Sequence, residues 1–446
     1  MANPKYRALN STVMPFSTLR GFRDYLPPDA GTRSELFRRM RSVAQRCGYS
    51  ELETPSIEPL ELYQVKSGDE ITGQTWSFTD KGGRSVALVS ETTPSLARVF
   101  VDRAKSEPLP VKWFTVSKLW RYEEPQSGRT REFQQFNLDI LGAAGIRAEV
   151  DLLSTAALLL DELGAEDLYT FRINDRELSG SIGAQLGVTD FPRYLRVLDR
   201  YRKLSAEAFA LELEAVGVTS AKVPALADLL ADSEKGVSLK DSSDYFGKLR
   251  ALGLDKNGRE SLDRLQTLLS TLQRLGLGDR VVFDLTVVRG LAYYTSTVFE
   301  AFAKKGASRS LFGGGRYDQL IGLFGGPSTP ACGLALGDQI LEQLLREADR
   351  WGPAESALDT FVVAVTPQEA PLAMEWVERL RRSGLSADSD LMTRSLSRQL
   401  KEAGRRKARR ALILGPKEVA RGVVVERDLT TGSQREIPMR SLLPPE

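Results

Sequence analysis

The N-terminal third of the chain mixes apolar residues at helical spacing with shorter runs at strand spacing. Apolar residues recur every three or four positions after Asp29, which predicts a helix near residues 29–47 that ends at Gly48. Residues 49–57 have the composition of a strand, and Pro55 places that strand at an edge or an interface because proline cannot donate to a ladder. Four more strands are predicted, at residues 75–79, 86–89, 111–122 and 133–141. This order predicts largely antiparallel β-structure rather than a doubly wound parallel sheet.

The amino-acid composition changes over about residues 178–280, where Leu, Ala, Glu and Arg dominate. This stretch predicts several helices without a catalytic motif, which we interpret as a helical insertion. Beyond it, apolar runs predict strands at residues 281–288 and 297–303. A glycine-rich turn is then expected at residues 311–318, and an apolar helix at 338–345.

A stretch that contains Pro and Gly at residues 346–358 is interpreted as a linker. After it, strand-like and helix-like stretches alternate over residues 359–446 and predict a small α/β domain. The chain as a whole is therefore expected to be α+β, with a larger domain over residues 1–345 that contains the insertion.

The absence of histidine from all 446 residues excludes several kinds of chemistry. Without imidazole there is no Ser-His-Asp triad, no Cys-His pair and no His-ligated zinc or iron site. Acid–base work would fall to carboxylates, Lys, Tyr or the substrate itself. The two cysteines, Cys47 and Cys332, cannot form a Cys₄ site and fit a reducing cytosol, so we predict no metal held by the protein.

Charge and hydropathy favour a globular protein of the cytoplasm. The chain has 61 Lys+Arg against 59 Asp+Glu, so its net charge of +2 does not by itself indicate a nucleic-acid partner. The N-terminus lacks the apolar segment of a secretory signal, and no apolar stretch approaches the ~18 residues needed to cross a bilayer. We therefore expect a cytoplasmic protein without a membrane partner.

An arginine-rich hairpin is the first candidate for chemistry. Arg121 ends one predicted strand, a Pro/Gly loop reverses the chain, and Arg131 opens the next strand. A guanidinium is permanently charged and matches phosphate geometry, so this hairpin suits a nucleotide polyphosphate. A surface hairpin with exposed arginines explains the same residues equally well.

A second candidate combines Arg289 with the adjacent Tyr293 and Tyr294. Adjacent residues on a strand face opposite sides, so only one tyrosine is expected to face a given pocket, and aromatic core packing is the simpler interpretation. The three consecutive glycines at 313–315 allow the backbone to approach a ligand closely, although such a run more often marks a tight turn.

A third candidate precedes a predicted helix. Glu91 and Thr93 are suited to bind a substrate ammonium group. Thr92 or Thr93 is also expected to cap the helix, with Pro94 at its first position, and this structural role is compatible with the functional one.

The C-terminal domain contains a basic helix. At about 100° per residue, Arg398, Lys401 and Arg405 fall on one face with Arg394 and Arg409. Such a stripe fits the phosphates of a nucleic acid. A solvated charged face is the alternative.

Taken in chain order, these segments resemble one family, the class II histidyl-tRNA synthetases. Residues 48–55 resemble the dimer-interface motif 1 and residues 121–135 resemble motif 2. Residues 289–294 and 313–318 resemble two motifs particular to the histidyl enzymes, and residues 360–440 resemble the anticodon-binding domain. The resemblance implies a class II aminoacyl-tRNA synthetase fold, with an antiparallel-sheet catalytic domain, a helical insertion, an α/β anticodon-binding domain and a homodimer.

The resemblance also implies an activity, namely activation of L-histidine with ATP and Mg²⁺ and its transfer to tRNA(His). Arg121 and Arg289 would be the catalytic residues, on either side of the ATP α-phosphate. The implied histidine-binding residues are Glu91, Thr93, Gln135, Asp139, Tyr293 and Tyr294. The implied ATP-binding residues are Arg121, Arg131, Arg289 and Gly315. The implied tRNA-binding residues are Gln126, Arg129, Arg398, Lys401 and Arg405.

Four places depart from the family pattern. Gln134 stands where histidine is usual in motif 2, Glu124 where a basic residue is common, and Ala292 where aspartate is frequent. Residues 333–340 contain no arginine, although motif 3 normally provides one against the adenine. These departures leave open how the adenine is held and how the acceptor end of tRNA is recognised.

Two other functions fit parts of the same pattern. A catalytically inactive paralog could bind histidine as a regulatory subunit of histidine biosynthesis, but such paralogs typically lack the C-terminal domain and the phosphate-binding arginines. A tRNA-binding protein without adenylation activity is the other alternative. Glu91, Arg121 and Arg289 are all present, which favours the ligase.

Overall fold

The computed structural model describes residues 17–67, 73–124, 129–289, 293–305, 310–352 and 358–441. The chain forms two compact units. The first comprises Met1–Tyr25 and Ser34–Trp351, and the second comprises Leu26–Arg33 and Gly352–Glu446. None of the described helices is long and apolar enough to cross a membrane.

The first unit contains an eight-stranded and a three-stranded sheet. Its strands are β1 (Ser50–Glu51), β2 (Ile57–Pro59), β3 (Ser77–Thr79), β4 (Ser85–Leu88), β5 (Val111–Trp120), β6 (Glu132–Leu141), β7 (Tyr169–Asp175), β8 (Val281–Phe283), β9 (Thr297–Ala303), β10 (Ser310–Arg316) and β11 (Ala331–Gly337). The large sheet has the order β1-β5-β6-β11-β10-β9-β7-β8, and the small one has the order β2-β4-β3. The six central strands of the large sheet are antiparallel, and the outer pairs β1–β5 and β7–β8 are parallel.

Twelve α-helices accompany these strands in the described part of the chain up to residue 352. They are α1 (Asp29–Arg46), α2 (Glu61–Ser67), α3 (Thr93–Arg103), α4 (Arg147–Glu162), α5 (Arg176–Leu186), α6 (Phe191–Asp199), α7 (Ala206–Glu214), α8 (Val223–Glu234), α9 (Leu239–Ala251), α10 (Lys256–Arg274), α11 (Leu320–Leu323) and α12 (Asp338–Glu347). Helices α5–α10 form the insertion between β7 and β8. Most of them start at an Asp or Ser whose side chain accepts a backbone N–H, as expected of helix caps.

The two faces of the large sheet have different roles. On β6, Phe136 and Leu138 are buried in the core that also contains the apolar residues of α1 and α4. Successive side chains of a strand point to opposite faces. Gln135, Asn137 and Asp139 therefore share the face away from this core, and the sheet presents a row of polar groups there.

The second unit is a five-stranded sheet with three helices. Its strands are β12 (Thr360–Ala364), β13 (Ala387–Ser389), β14 (Arg410–Leu414), β15 (Val423–Asp428) and β16 (Gln434–Pro438), in the order β13-β12-β14-β15-β16. Its helices after the linker are α13 (Ala370–Arg382), α14 (Leu396–Arg405) and α15 (Pro416–Ala420). β12, β13 and β14 are parallel, whereas β15 and β16 are antiparallel, so the unit is α/β with an antiparallel edge.

Several predicted strands of the first unit are shorter than the sequence indicated, and two of them differ most. Of residues 49–57, Ser50–Glu51 belong to β1 and Ile57 starts β2, and Pro55 lies in the gap, where it has no ladder bond to donate. The strand predicted at residues 281–288 ends at Phe283, because the Asp284 carboxylate accepts the Thr286 backbone N–H at 3.0 Å and turns the chain.

Two further predictions were wrong. The glycine-rich segment at residues 311–318 is not a turn, since its glycines pair with β9 on one side and β11 on the other within β10. The basic helix is also shorter than predicted. α14 ends at Arg405, so Arg394 and Arg409 lie outside it and are not part of its face.

Candidate active site

A shallow trough crosses the polar face of the large sheet because small residues occupy its middle. In one row across the strands, Gly313 lies opposite Glu300 of β9 and Ala335 of β11, and Ala335 lies opposite Asn137 of β6. In the next row, Gly315 of β10 lies opposite Gly333 of β11, and Gly333 lies opposite Asp139 of β6. The trough thus has a floor without bulky side chains, between Glu300 on one side and the polar residues of β6 on the other.

A cavity of about 290 Å³ opens over this floor. Its lining includes Arg121, Arg129, Gln135, Arg289, Glu300 and Gly313. These residues come from the β5–β6 hairpin, from the loop before β9 and from β9 and β10. Three guanidinium groups around one cavity make it suited to bind a polyanion such as a nucleotide triphosphate.

Arg289 is held in an unusual backbone conformation. Its φ is +49°, in the left-handed region that non-glycine residues seldom adopt and that often marks a functional site. Nη1 of Arg289 lies 3.1 Å from Oε1 of Glu300, and its guanidinium carbon lies 5.8 Å from the ring centroid of Tyr294. The guanidinium therefore lies over the sheet, above Gly313.

The glycines of the floor make room for side chains of the site itself. A Cβ on Gly313 would lie 1.3 Å from Nη1 of Arg289, and a Cβ on Gly333 would lie 2.3 Å from Oδ1 of Asp139. A Cβ on Gly315 would lie 2.9 Å from a ring carbon of Tyr294. We expected the glycines at 313–315 to permit close approach of a ligand. The structure shows that Gly313 and Gly315 make room for an arginine and a tyrosine, and that Gly333 of β11 makes room for an aspartate.

Buried phenols and a carboxylate meet at one end of the trough. The Tyr317 hydroxyl donates a short hydrogen bond to the carboxylate of Asp139, which is buried. The ring centroids of Tyr293 and Tyr294 are 4.7 Å apart, and those of Tyr293 and Tyr317 are 5.9 Å apart. Burial raises the pKa of Tyr317 well above its usual range, and Asp139 adds to the rise, so the phenol stays a hydrogen-bond donor.

Glu91 and Asp139 lie near the two adjacent tyrosines. Burial raises the pKa of Tyr294, and the charges of Glu91 and Asp139 add to this rise. The pKa of Tyr293 is also raised, mainly by burial, then by the neighbouring Tyr294, and then by the charge of Glu91. The charge of Glu91 therefore acts on both tyrosines, although strand alternation predicted that only one would face a given pocket. The reason is that neither lies in β9, which begins at Thr297.

Thr93 is the first residue of α3, and Thr92 is the cap residue. Thr92 makes no side-chain capping bond, and its buried hydroxyl has no hydrogen-bond partner among the described residues. The same is true of the buried Ser90 hydroxyl, the Thr115 hydroxyl and Oδ1 of Asn137. Buried polar atoms are normally satisfied, and among these four atoms those of Thr115 and Asn137 belong to directly opposed residues of β5 and β6.

The hairpin arginines divide into two groups. Arg121 donates from Nε to the Ser90 carbonyl at 2.9 Å and stacks on Phe133, with its guanidinium carbon 5.1 Å from the ring centroid. Arg131 instead stacks on Tyr122 at 4.3 Å and donates to the Glu123 carbonyl, and it is not part of the cavity lining. Gln126, which we assigned to tRNA, lies outside the described residues.

Two site residues were missed from the sequence. Asn137 lies between Gln135 and Asp139 on the same face of β6, and polar residues at every second position of an otherwise apolar strand were the signal for it. Glu300 is the one charged residue of β9, and its neighbours Phe299 and Ala301 are buried. A lone charge in an apolar strand was the corresponding signal.

Of the three basic side chains predicted on this face of α14, one forms an ion pair with a described carboxylate and two do not. The Arg405 guanidinium donates to Glu402 from Nε at 2.9 Å, and Arg405 and Arg406 lower the pKa of Glu402 to about 2. Arg398 and Lys401 are exposed and make no ion pair with a described residue. The positive charge of this face therefore comes mainly from Arg398 and Lys401.

A metal site built by the protein is not found in the described ranges, where no group of three His, Cys, Asp or Glu side chains could hold an ion. The antiparallel sheet, the arginine hairpin at its edge and the glycine-floored trough together define the catalytic domain of a class II aminoacyl-tRNA synthetase.

Comparison with known proteins narrows this class to one family. Residues 21–340 match the family model described as "Histidyl-tRNA synthetase", and residues 359–444 match the model described as "Anticodon binding domain". The chain belongs to the histidyl-tRNA synthetase family. The family and the α+β fold class that the sequence indicated are thereby confirmed.

Individual relatives match over nearly their whole length. The chain is 35% identical over 431 residues to a histidine–tRNA ligase of Thermoplasma volcanium, a match that covers 97% of this chain and 98% of the relative. It is 38% identical over 427 residues to a histidine–tRNA ligase of Opitutus terrae, with 95% and 96% covered. The crystal structure of histidyl-tRNA synthetase from Nostoc sp. has the same fold, with a TM-score of 0.83 at 23% identity over 96% of this chain and 98% of that one.

Proposed function

We propose that this protein activates L-histidine with ATP and transfers the histidyl group to tRNA(His). Relatives that carry the name histidine–tRNA ligase align with both units of the chain over nearly their full lengths. The alternative, an inactive regulatory paralog, is not favoured, because the second unit and the arginines of the site are all retained.

One observation carries the proposal. The guanidinium of Arg289 lies over Gly313 in a cavity that Arg121 also lines. Two fixed cations beside one cavity are what the transfer of an adenylyl group requires, because negative charge on the α-phosphate oxygens grows in the transition state.

In the first reaction, a carboxylate oxygen of histidine attacks the α-phosphorus of ATP. The bond from that phosphorus to the bridging oxygen breaks, and pyrophosphate leaves with the electron pair. The carboxylate is already ionised, so no enzyme base is needed, and a chain without histidine residues can carry out this step. Arg121 and Arg289 would stabilise the α-phosphate oxygens, and the Gly315 backbone would contribute to the ATP site.

In the second reaction, a hydroxyl of the terminal ribose of tRNA attacks the carbonyl carbon of the adenylate. The bond between that carbon and the phosphate oxygen breaks, AMP leaves with the electron pair, and the proton of the attacking hydroxyl goes to the AMP phosphate or to water. Arg129 lines the cavity and is placed to contact the ATP outer phosphates or the tRNA end, whereas Arg131 would first have to leave Tyr122.

The amino acid is assigned to the polar region around the tyrosines. Glu91, Thr93 and Gln135 would bind the α-ammonium group. Asp139 and Tyr294 would bind the imidazole, and Tyr293 would close the pocket. Tyr317 fixes the orientation of Asp139 by its hydrogen bond, which keeps the carboxylate ready to accept from an imidazole N–H.

Mg²⁺ is proposed to arrive with ATP. This ion usually keeps several waters and is bound largely through substrate phosphates, which fits a site without a cluster of three acidic ligands in the described chain. Its chemistry there is to neutralise charge on the phosphates.

The remaining partners follow from the family. We propose that Arg398 and Lys401 contact tRNA phosphates and that the active form is a homodimer. We place the protein in the cytoplasm, since both Cys47 and Cys332 are free thiols, as is usual in a reducing compartment.

Replacement of Arg289 tests the proposal. Arg289→Ala should lower the rate of histidine-dependent ATP–pyrophosphate exchange by on the order of 10²–10³, the usual cost of losing a preorganised group that stabilises transition-state charge. Arg250→Ala, at an exposed ion pair with Asp263, is the control and should leave the rate unchanged. Near-native exchange in Arg289→Ala would show that the site is elsewhere.

A further inference from the structure

A carboxylate in a phosphate-binding cavity requires an explanation. Glu300 lines the same cavity as Arg121 and Arg289, and its side chain is 22% exposed. An anion there would repel the phosphates of ATP if it acted alone. It does not act alone, because Oε1 of Glu300 lies 3.1 Å from Nη1 of Arg289.

Arg289 depends on side-chain contacts for its position. It lies outside any strand, its φ is +49°, and its long side chain has many rotamers. Gly313 has no Cβ and so leaves space above the sheet for the guanidinium. Glu300 lies directly opposite Gly313 in register and is the one described residue that forms an ion pair with Arg289. The pair therefore fixes where the guanidinium lies along the trough.

The contact uses only part of the guanidinium. A guanidinium has five N–H donors in a rigid planar fork, and Glu300 accepts at Nη1. The remaining donors make no hydrogen bond with a described residue and can face a phosphate oxygen. We propose that Glu300 is a positioning residue, which holds Arg289 over Gly313 so that its free donors face the α-phosphate. This inference rests on the proposed function.

Other charged groups lie around Glu300, and they come from each of the elements that pack near it. Arg172 of β7 lies opposite it in register, Arg202 and Asp199 approach from the insertion, and Asp284 follows β8. Burial raises the pKa of Glu300, and Arg289 opposes this rise most strongly. As the pH falls through this raised pKa, Glu300 becomes neutral, its attraction for Arg289 weakens, and adenylation should decline.

Pyrophosphate exchange on the full-length protein tests this role with two variants. Glu300→Ala should lower kcat at least tenfold while KM for histidine stays within twofold. Glu300→Gln, whose amide oxygen still accepts from Nη1, should recover most of kcat near neutral pH. The acid limb of the wild-type pH profile should be weaker in Glu300→Gln, because the amide does not titrate.

Glu426→Gln provides the control. Glu426 is a buried carboxylate paired with Arg410 and Arg435 in the second unit, and exchange does not require tRNA, so its rate should not change. Circular dichroism and thermal unfolding establish that each variant folds. Native kcat in a folded Glu300→Ala would overturn the proposal. A second outcome would also overturn it. If Glu300→Gln were as slow as Glu300→Ala and excess Mg²⁺ restored its rate, Glu300 would be a metal ligand.

The binding of ATP, measured by calorimetry without histidine, separates this inference from the proposed function. Glu300→Ala should weaken ATP binding several-fold relative to wild type. If the wild type shows no histidine-dependent exchange but this difference persists, the proposed function fails and the positioning role stands. If exchange occurs and neither kcat nor ATP affinity responds to Glu300→Ala, only the positioning role fails.

Discussion

A Cβ atom on residue 313 would lie 1.3 Å from Nη1 of Arg289, so this arginine and a side chain at position 313 cannot occupy the site together. Gly313 lies within β10, where its φ is not in the left-handed region, so backbone conformation does not require glycine there. The requirement comes from the guanidinium that lies on the sheet.

Gly313→Ala should therefore displace Arg289 and reduce histidine-dependent exchange to a level close to that of Arg289→Ala. Thermal unfolding should show that the fold is retained, because alanine is tolerated in a strand. The rate of ATP–pyrophosphate exchange is the measurement. Gly322→Ala is the matched control, since a Cβ on Gly322 in α11 would meet nothing within 4 Å. An active Gly313→Ala protein would mean that Arg289 functions from another position.

The fold was predictable where the chain follows local rules. The helix after Asp29 and the long strands of the β5–β6 hairpin follow from the pattern of apolar residues, and the helical insertion follows from a composition rich in Leu, Ala, Glu and Arg. The glycines at 313–315 were not predictable as strand residues, because glycine usually weakens a strand and marks a turn. Within β10, Gly313 and Gly315 leave room for Arg289 and Tyr294, which come from the segment before β9. Local secondary-structure propensity contains no information about such a tertiary contact, so it could not predict this strand.

The candidate site was predictable residue by residue only through the family resemblance. Composition alone favoured aromatic packing for Tyr293 and Tyr294, and both are in fact packed against the core that contains Leu96 and Phe100. The pairing of Glu300 with Arg289 required the sheet register, which sequence spacing does not determine.

Asp139 provides a test that uses the absence of histidine from the chain. Any imidazole proton signal in the sample must come from the histidine ligand, because the protein has no histidine. A neighbouring carboxylate favours the charged imidazole, so the imidazole pKa of bound histidine should be higher in wild type than in Asp139→Asn. KM for histidine should rise about tenfold or more in the variant, from loss of a charged hydrogen bond.

NMR titration of the imidazole C–H signals is the measurement for Asp139. Tyr317→Phe is the companion variant, since it removes the donor to Asp139 but keeps the carboxylate, and it should shift the imidazole pKa less. Equal imidazole pKa values in wild type and Asp139→Asn would place the ring away from Asp139.

Arg398 and Lys401 are predicted to contact tRNA phosphates. The double variant Arg398→Ala/Lys401→Ala should raise KM for tRNA and lower the dependence of binding on salt by about one logarithmic unit of slope per lost contact. Pyrophosphate exchange should be unaffected. Filter binding of tRNA over a range of salt concentrations measures the slope. Arg421→Ala, at an exposed arginine paired with Glu436, serves as control, and an equal effect there would indicate a diffuse charge effect.

The Glu402 ion pairs should give a pH-dependent contribution to stability. Arg405 and Arg406 lower the pKa of Glu402 to about 2. A lowered carboxyl pKa stabilises the folded state above the unfolded value, about 4.3, and this contribution is lost as pH falls towards 2. The unfolding temperature of Glu402→Gln should therefore be slightly below that of wild type at neutral pH, and the two should converge in acid. A gap that does not narrow would indicate a packing effect instead.

ATP–pyrophosphate exchange by the purified wild-type protein with each of the twenty amino acids, followed by charging of a tRNA pool with the active one, tests directly whether the protein is a histidine–tRNA ligase. We predict exchange with histidine alone and transfer of histidine to a single tRNA class. Absence of histidine-dependent exchange, with ATP and Mg²⁺ present and the protein folded, would contradict the account.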